Sequence, residues 1–289
     1  MKYRSIKNIV YAATFDMGGM PVRQELPSAK ASQIDPFLLL HHANVKVPTH
    51  IHVTKAGIGP HPHRGFSPVT FIFEGGVHHR DSRGNDHVLY EGGTQWMNAG
   101  MGVVHSERPP KDIFEKGGRQ EIIQLWVNSP SVNKMDQPVY YPLSAEDTPM
   151  INSDDGLVKI MIHSGELNHI KGPIPTLSPV NTFTAYLQKG GKYFFNIPAS
   201  HNAFFYLLDG KIRLTGDGEV EGNNLAELNN DGDGFELEAL EQTKLIIGTG
   251  QPLNESIASH GPFVMNTQTE ILQAFKDYEM GKMGVLIEE

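Results

Sequence analysis

The chain has 289 residues, of which 39% are hydrophobic, so it is long enough to form two modest domains or one large one. Its formal net charge of -9 excludes the basic surface that direct binding of nucleic acid requires. Because the sequence contains no cysteine, a metal ion must be bound by histidine and carboxylate side chains.

Short strands separated by turns are predicted along the N-terminal half. The chain has 30 glycines and 19 prolines, clear period-2 stretches and little helical periodicity, which is typical of a mostly β protein. In chain order, the apolar strand segments include 36–40, 69–73 and 120–127, the last of which is predicted to be buried throughout. No segment has the length of a membrane span or the pattern of a targeting peptide, so we expect a cytoplasmic protein. We also expect a monomer.

Two pairs of potential metal ligands lie in this half. The stretch GIGPHPHRGF contains His61 and His63, and NAGMGVVHSE contains His105 and Glu107. Alternate residues of a strand point to the same face, so each pair projects together. If the two strands are neighbours in a closed sheet, three imidazoles and one carboxylate converge. That set binds a divalent first-row metal and leaves positions for substrate or water; iron, manganese, nickel, zinc and copper remain open.

Other polar residues nearby are predicted to lie away from the metal. His50 and His52 are expected to face solvent on one strand. His78 and His79 are adjacent, so they cannot both point inward, and we expect them at a strand end near a turn rather than among the ligands. Gln95 and Trp96 are expected on opposite faces, and the pattern does not decide which one faces the cavity.

A change of composition separates the two halves. Residues 128–150 are rich in proline and polar residues and show neither the strand nor the helix period. We therefore predict an N-terminal metal-binding barrel at 1–130, a linker at 131–150 and a C-terminal domain at 151–289. The C-terminal half has strand segments at the spacing of a second barrel or sandwich. His201 has no neighbouring ligand pair there, so we expect no metal in that half.

One C-terminal helix is predicted. The segment from Thr267 to Glu270 has the form of a capping box, and Gly281 is a plausible stop. Between them, four apolar residues form a stripe at helical spacing: Ile271, Leu272, Phe275 and Tyr278. We expect this helix to cover a barrel face or to join the two halves.

These motifs together resemble the pirins, a branch of the cupin superfamily. The matching stretches are DPFLLL at 35–40, HPHRGF at 61–66, HRDSRGN at 79–85, QWMNAGMGVVHSE at 95–107, QLWVN at 124–128 and GPFVMNT at 261–267. The resemblance implies an all-β bicupin: two tandem cupin-type β-barrels with a short C-terminal helix. It also implies one metal in the N-terminal barrel, most often iron, with ligands that map onto His61, His63, His105 and Glu107.

The resemblance implies two kinds of function. Some pirins show quercetin 2,3-dioxygenase activity, in which dioxygen opens the central ring of a flavonol and carbon monoxide is released. Others are transcriptional co-regulators that act through protein partners. The sequence therefore supports a dioxygenase of flavonol-like or other enolic substrates, with Glu107 either a fixed ligand or a base. One alternative is a non-enzymatic protein that binds a protein partner, in which the redox state of the metal alters the surface near Arg64 and the Ser67–Pro68 edge. The other is a purely structural metal.

The sequence departs from the pirin pattern in two places. Pirins usually have Glu-Thr after HPHRGF, whereas this chain has Ser67 and Pro68, so one carboxylate near the site is missing. A proline within a strand removes a hydrogen-bond donor, so we expect a bent or open sheet edge here. Pirins usually have acidic residues after DPFLLL, whereas this chain has His41 and His42, placed either at the mouth of the site or on the surface.

Overall fold

The computed structural model describes residues 2–11, 13–17 and 20–288, and strands dominate it. The first twelve strands are β1 (Ile6–Tyr11), β2 (Thr14–Met17), β3 (Met20–Leu26), β4 (Phe37–Lys46), β5 (Ile58–His63), β6 (Phe66–Glu74), β7 (Gly76–Asp81), β8 (Asp86–Tyr90), β9 (Thr94–Asn98), β10 (Val103–Arg108), β11 (Arg119–Asn128) and β12 (Val139–Leu143).

The later strands are β13 (Met150–Asn152), β14 (Val158–Ser164), β15 (Glu166–Leu167), β16 (Ile170–Lys171), β17 (Val180–Leu187), β18 (Lys192–Asn196), β19 (Asn202–Asp209), β20 (Lys211–Leu214), β21 (Glu219–Glu221), β22 (Asn224–Leu228), β23 (Gly234–Ala239), β24 (Thr243–Gly250), β25 (Ala258–His260) and β26 (Phe263–Met265). Within the described residues, the α-helices are α1 (Lys111–Lys116) and α2 (Gln268–Glu279). The predicted all-β class with a short C-terminal helix is confirmed.

The chain folds into two compact units. The unit built mainly from the second half of the sequence, here called the C-terminal barrel, comprises Met1–Ala13, Gln24–Leu39 and Glu146–Leu253. The other unit, here called the N-terminal barrel, comprises Thr14–Arg23, Leu40–Ala145 and Asn254–Glu289. The domain boundaries at 1–130, 131–150 and 151–289 stay a prediction. Each compact unit also includes a segment from the opposite end of the chain.

The N-terminal barrel is built from a seven-stranded and a four-stranded sheet. The order of strands is β12-β9-β6-β11-β4-β3-β2 in the larger sheet and β5-β10-β7-β8 in the smaller one. Strand β12 lies in the segment assigned to a linker, and its Tyr140 and Tyr141 pair with Met97 and Trp96 of β9. Proline at positions 138 and 142 hides the strand pattern of this segment in the sequence.

The C-terminal barrel has the same pair of sheet sizes and an apolar interior. Its strand orders are β1-β22-β19-β24-β17-β14-β13 and β18-β23-β20-β21. Phenylalanine rings from both sheets fill the interior, with Phe195 stacked on Phe235 at a centroid distance of 5.1 Å and Phe205 5.4 Å from Phe235. These rings belong to one buried apolar cluster whose side chains pack in the interior of the barrel.

The N-terminal strand belongs to this second barrel. Strand β1 pairs with β22, and the buried guanidinium of Arg4 donates hydrogen bonds to three backbone carbonyls, those of Pro198, His201 and Gly232. This pairing joins residues more than two hundred positions apart, and no local sequence pattern predicts it.

The C-terminal helix packs on the N-terminal barrel. The predicted capping box is present, with the Thr267 side chain accepting from the Glu270 backbone N–H. Ile271 is buried with Val104 of β10 in one apolar cluster, whereas Leu272 is 63% exposed, so the predicted stripe is wrong at that position. Gly281 ends the helix with a positive φ of 71°, as its sequence position indicates.

A buried histidine in the C-terminal barrel makes its stability sensitive to acid. His163 is 1% exposed, its Nε2 lies 2.9 Å from Thr184 Oγ1, and burial lowers its pKa to about 3. The unfolded chain, with a pKa near 6.5, binds more protons between pH 6.5 and 3, so stability is lost as the pH falls through that window. Between pH 7 and pH 5, the free energy of unfolding of the His163→Leu variant should fall by about 2 kcal/mol less than that of the wild type. Urea unfolding at the two pH values measures this difference. The exposed His169→Asn variant is the control, and equal pH dependence in all three proteins would contradict the prediction.

Candidate metal centre

Three of the four predicted ligands come together in the smaller sheet of the N-terminal barrel. Strands β5 and β10 are antiparallel neighbours, and His105 lies directly opposite His61. One ring nitrogen from each of His61, His63 and His105 lies within 4.8 Å of the others. Their role as metal ligands stays a prediction, but the three nitrogens are close enough together to bind one ion.

Hydrogen bonds orient the first two rings. His61 Nδ1 lies 2.8 Å from the carbonyl oxygen of Gly59, and His63 Nδ1 lies 3.4 Å from that of Pro262. A carbonyl only accepts, so each Nδ1 carries the proton and each Nε2 presents a lone pair. The two Nε2 atoms are only 3.0 Å apart. Two lone pairs at that distance repel each other unless a cation lies beside them, so this donor set fits a metal ion.

The third histidine, His105, differs from the first two in its hydrogen bonding. His105 is buried, and its Nε2 has no hydrogen-bond partner among the described residues. Burial, followed by the neighbouring histidines, holds the pKa of His105 well below its usual value, and burial does the same for the pKa of His63. These two imidazoles are therefore neutral, which is the form that binds a metal.

Glu107 lies in the same barrel interior but does not belong to the group of three histidines. A register irregularity in the β10–β5 pairing separates it from His105. Its Oε1 accepts a 2.6 Å hydrogen bond from Thr70 Oγ1, and its Oε2 accepts a 2.7 Å bond from Gln124 Nε2. Both donors come from the larger sheet, so the carboxylate is fixed between the two sheets. Its role as fourth ligand or base stays a prediction.

A small cavity lies beside these residues. Its volume is about 10 Å³, and its walls include Thr70, His105, Glu107 and two groups without a hydrogen-bond partner in the described chain, Gln95 Oε1 and Tyr140 OH. Burial, then the charges of Glu107 and Asp81, raises the pKa of Tyr140, so its hydroxyl remains a donor. Gln95 rather than Trp96 faces this cavity, which settles the alternative that the sequence left open.

An aromatic surface flanks the histidines on the other side. Trp126 of β11 is half-buried, its ring lies 5.3 Å from that of His63, and it stacks on Phe66 at 4.2 Å. Gln124 is half-buried as well, so β11 alternates between buried and half-buried positions. The predicted continuous burial of 120–127 is therefore wrong, because one face of the strand borders the metal centre.

The Ser67 and Pro68 departure does not open the sheet. Strand β6 lies between β9 and β11, and it pairs with β11 through Ser67–Val127 and Pro68–Trp126 without a register shift. The prediction of a bent or open edge is wrong, since the proline lies in an inner strand whose pairing with β9 begins only at Val69. Pro68 lines the small cavity, and Ser67 Oγ donates to Asn98 Oδ1.

The remaining histidines are distributed as follows. His50 and His52 are exposed, as predicted, but they lie in the connection between β4 and β5 and not on a strand, so that part of the prediction is wrong. His42 is buried beside Glu121, with 3.3 Å between His42 Nε2 and Glu121 Oε1. His41 is half-buried near Phe15, and burial lowers its pKa to about 4. Within the described residues, neither His41 nor His42 belongs to the histidine cluster.

His78 and His79 lie in the middle of β7, so the prediction of a strand end is wrong, and sequence reasoning missed the contact between the rings of His79 and His105. The two Nδ1 atoms are 3.5 Å apart, and the Tyr140 ring stacks on His79 at 4.0 Å. The alternation of His79 and Asp81 on β7 was the available signal, because it repeats the spacing of the ligand pairs.

Comparison with known proteins decides the family. The family model described as Pirin matches residues 19–127, and the model described as Pirin C-terminal cupin domain matches residues 182–284. Pirin-like protein 2 of Arabidopsis thaliana is 33% identical over 287 residues, which cover 96% of this chain and 85% of that protein. The chain belongs to the pirin family.

Solved structures agree with this membership. A crystal structure of quercetin 2,3-dioxygenase from Acinetobacter baumannii is 36% identical to this pirin, with a TM-score of 0.92 over 99% of this chain and 100% of that one. A Pseudomonas aeruginosa protein whose name proposes the same activity is 36% identical over 91% of this chain and 92% of its own length. An Escherichia coli pirin solved with nickel(II), 16% identical with a TM-score of 0.65 over 85% of this chain and 99% of that one, shares the fold.

The predicted pirin resemblance and bicupin architecture are thus confirmed. Neither helix in the described part of this pirin is long and apolar enough to cross a membrane. The cytoplasmic location and the monomeric state stay predictions.

Proposed function

We propose that this pirin is a metal-dependent dioxygenase of quercetin-type flavonols or related enolic substrates. Iron is the proposed metal, with His61, His63, His105 and Glu107 as its ligands. The observation that carries the proposal is the convergence of three imidazoles beside a buried carboxylate, with the Nε2 atoms of His61 and His63 3.0 Å apart. The names of the Acinetobacter and Pseudomonas relatives support the same substrate class.

The residues divide the work between binding and proton transfer. When bound, a divalent metal supplies Lewis acidity that lowers the pKa of a phenol or enol on it. In this proposal Glu107 accepts the proton that the substrate hydroxyl loses, and its hydrogen bonds from Thr70 and Gln124, which fix the carboxylate, support that role. The Trp126 ring, half-buried beside His63, offers a flat surface on which a planar substrate stacks.

The size of the inner cavity constrains how the substrate binds. At about 10 Å³, the cavity is far smaller than the roughly 300–1,000 Å³ of typical ligand pockets. A flavonol therefore approaches from the Trp126 side, and the cavity beside Tyr140 has room for about one water molecule.

The direct test is an anaerobically iron-loaded protein mixed with quercetin and dioxygen. We expect loss of the flavonol absorbance together with release of carbon monoxide. A Trp126→Ala variant is expected to raise KM about fivefold with its iron content unchanged, since stacking contributes about 1 kcal/mol. Phe15→Ala, at an exposed aromatic of the same barrel, is the control. Intact flavonol and no carbon monoxide with fully loaded protein would overturn the proposal.

A second candidate function is a non-enzymatic, metal-dependent regulator that binds a protein partner. The small inner cavity and the missing carboxylate at Ser67 favour it. The partner surface near Arg64 stays a prediction; the Arg64 side chain itself is only 2% exposed. Affinity capture with metal-loaded and metal-free protein tests this candidate, and equal recovery of every protein in both states would count against it.

A further inference from the structure

A carboxylate lies two hydrogen bonds away from His105. Asp81 Oδ1 accepts from the backbone N–H groups of Arg83 and Asn85, at 2.9 and 3.1 Å. Its Oδ2 accepts from Asn85 Nδ2 at 2.7 Å and lies 3.2 Å from His79 Nε2. Burial raises the pKa of Asp81, but the hydrogen bonds from His79, Asn85 and Arg83 outweigh it and lower the pKa. Asp81 is therefore an ionised carboxylate that only accepts.

The second residue of this chain of hydrogen bonds is His79. Because Asp81 Oδ2 only accepts, His79 Nε2 must carry a proton, and in the Nε2–H tautomer the lone pair of the ring is at Nδ1. The ring is 1% exposed and lies almost parallel to that of Tyr140, with an angle of 7° between the planes. This stacking fixes the direction in which the Nδ1 lone pair points.

The third residue is His105, whose Nδ1 lies 3.5 Å from His79 Nδ1. Two nitrogens at this distance attract only if one of them donates. With a lone pair on His79, the proton must be on His105 Nδ1, and the lone pair of His105 is then on Nε2. That atom is the buried nitrogen without a hydrogen-bond partner in the described chain.

We propose that His79 and Asp81 are positioning residues that hold His105 in its Nδ1–H tautomer, so that its Nε2 lone pair is directed to the metal. This inference rests on the proposed metal site. It assigns the HRDSRGN motif a role: two of its residues set the donor direction of a ligand that lies on the neighbouring strand. Carboxylate–imidazole pairs next to metal ligands act in this way elsewhere.

An Asp81→Asn substitution keeps nearly the same side-chain shape but reverses the donor and acceptor roles in the hydrogen bonds that link residues 81, 79 and 105. The amide of the new side chain donates to His79 Nε2, so His79 must carry its proton on Nδ1. His105 Nδ1 then accepts, and its Nε2–H points at the metal position. We expect the affinity for Ni²⁺, measured by competition with a chromophoric chelator, to fall about 10–100-fold.

The tautomer itself is measured on metal-free protein, so the result does not depend on metal binding or on activity. In ¹⁵N-histidine-labelled protein treated with a chelator, two-bond ¹H–¹⁵N correlations distinguish Nδ1–H from Nε2–H rings. We expect His105 to be Nδ1–H in the wild type and Nε2–H in Asp81→Asn. Asp86→Asn, which changes the exposed carboxylate paired with His78 on the same hairpin, is the matched control and should match the wild type in both measurements.

The outcomes separate this inference from the proposed function. An Nε2–H ring for His105, or a doubly protonated His79, in the wild type overturns the inference whatever the metal affinity is. An unchanged His105 tautomer in a folded Asp81→Asn protein also overturns it. The expected tautomers combined with no Ni²⁺ binding in the wild type would instead contradict the metal site. If Asp81→Asn does not fold, His79→Phe is used, and it should leave His105 as a mixture of both tautomers.

Discussion

His105→Ala is expected to lower the metal content of the purified protein from about one ion per chain to nearly zero. The substitution removes one of three imidazoles whose lone pairs converge, and the remaining pair on β5 cannot complete the set. The loss of affinity should exceed the roughly 10–100-fold typical of an outer hydrogen-bond partner. Elemental analysis after dialysis against Fe²⁺ or Ni²⁺ measures it.

The control for this variant is His52→Ala, which removes an exposed histidine of the same barrel. It should retain full metal content. A His105→Ala protein that keeps one ion per chain and has a normal circular-dichroism spectrum would show that the ion is bound elsewhere.

Asp277→Ala is expected to destabilise the N-terminal barrel by about 3–5 kcal/mol, because it leaves a buried guanidinium without its counter-ion. Arg64 Nη1 donates to Asp277 Oδ2 at 2.9 Å, and both side chains are less than a tenth exposed. Lys282 also donates to Asp277, and this bond comes first among the interactions that lower the pKa of Asp277 to about 2 against the effect of burial. The midpoint of thermal unfolding should fall by roughly 10 °C.

Glu279→Ala removes an exposed carboxylate from the same helix and should change the midpoint by less than about 1 °C. The double variant Arg64→Met with Asp277→Leu should recover part of the loss, since it removes both buried charges. Equal midpoints for Asp277→Ala and Glu279→Ala would show that the ion pair does not stabilise this barrel.

The sequence predicts the histidine cluster well because the information is local. His61 and His63 are two residues apart on one strand, and strand alternation alone places them on one face. The neighbouring His105 followed from requiring a closed sheet. His79 and Tyr140 were missed for the opposite reason, since their contact with each other depends on the register of strands that are distant in the chain. Adjacent histidines show only that one of them points inward, not which one.

The distribution of the chain between the barrels could not be predicted. Pairing between β1 and β22 is decided by which sheet edge is available, and no local pattern encodes that choice. The same holds for the C-terminal segment. Pro68 illustrates a further limit. A proline lacks one hydrogen-bond donor wherever it lies, and only the strand pairing in the structure shows that β6 begins to pair with β9 after this residue, at Val69.

The contact between the C-terminal segment and β5 has a consequence for biosynthesis. His63 Nδ1 bonds to the carbonyl of Pro262, and a Cβ on Gly65 would lie 2.0 Å from the carbonyl oxygen of Val264. Gly65 is therefore a glycine because the last part of the chain lies against it. The carbonyl that orients His63 is made by the ribosome 199 residues after His63 itself. The N-terminal barrel is thus completed only after the segments of the C-terminal barrel have been made, and His63 acquires its final orientation only once the segment around Pro262 has been synthesised.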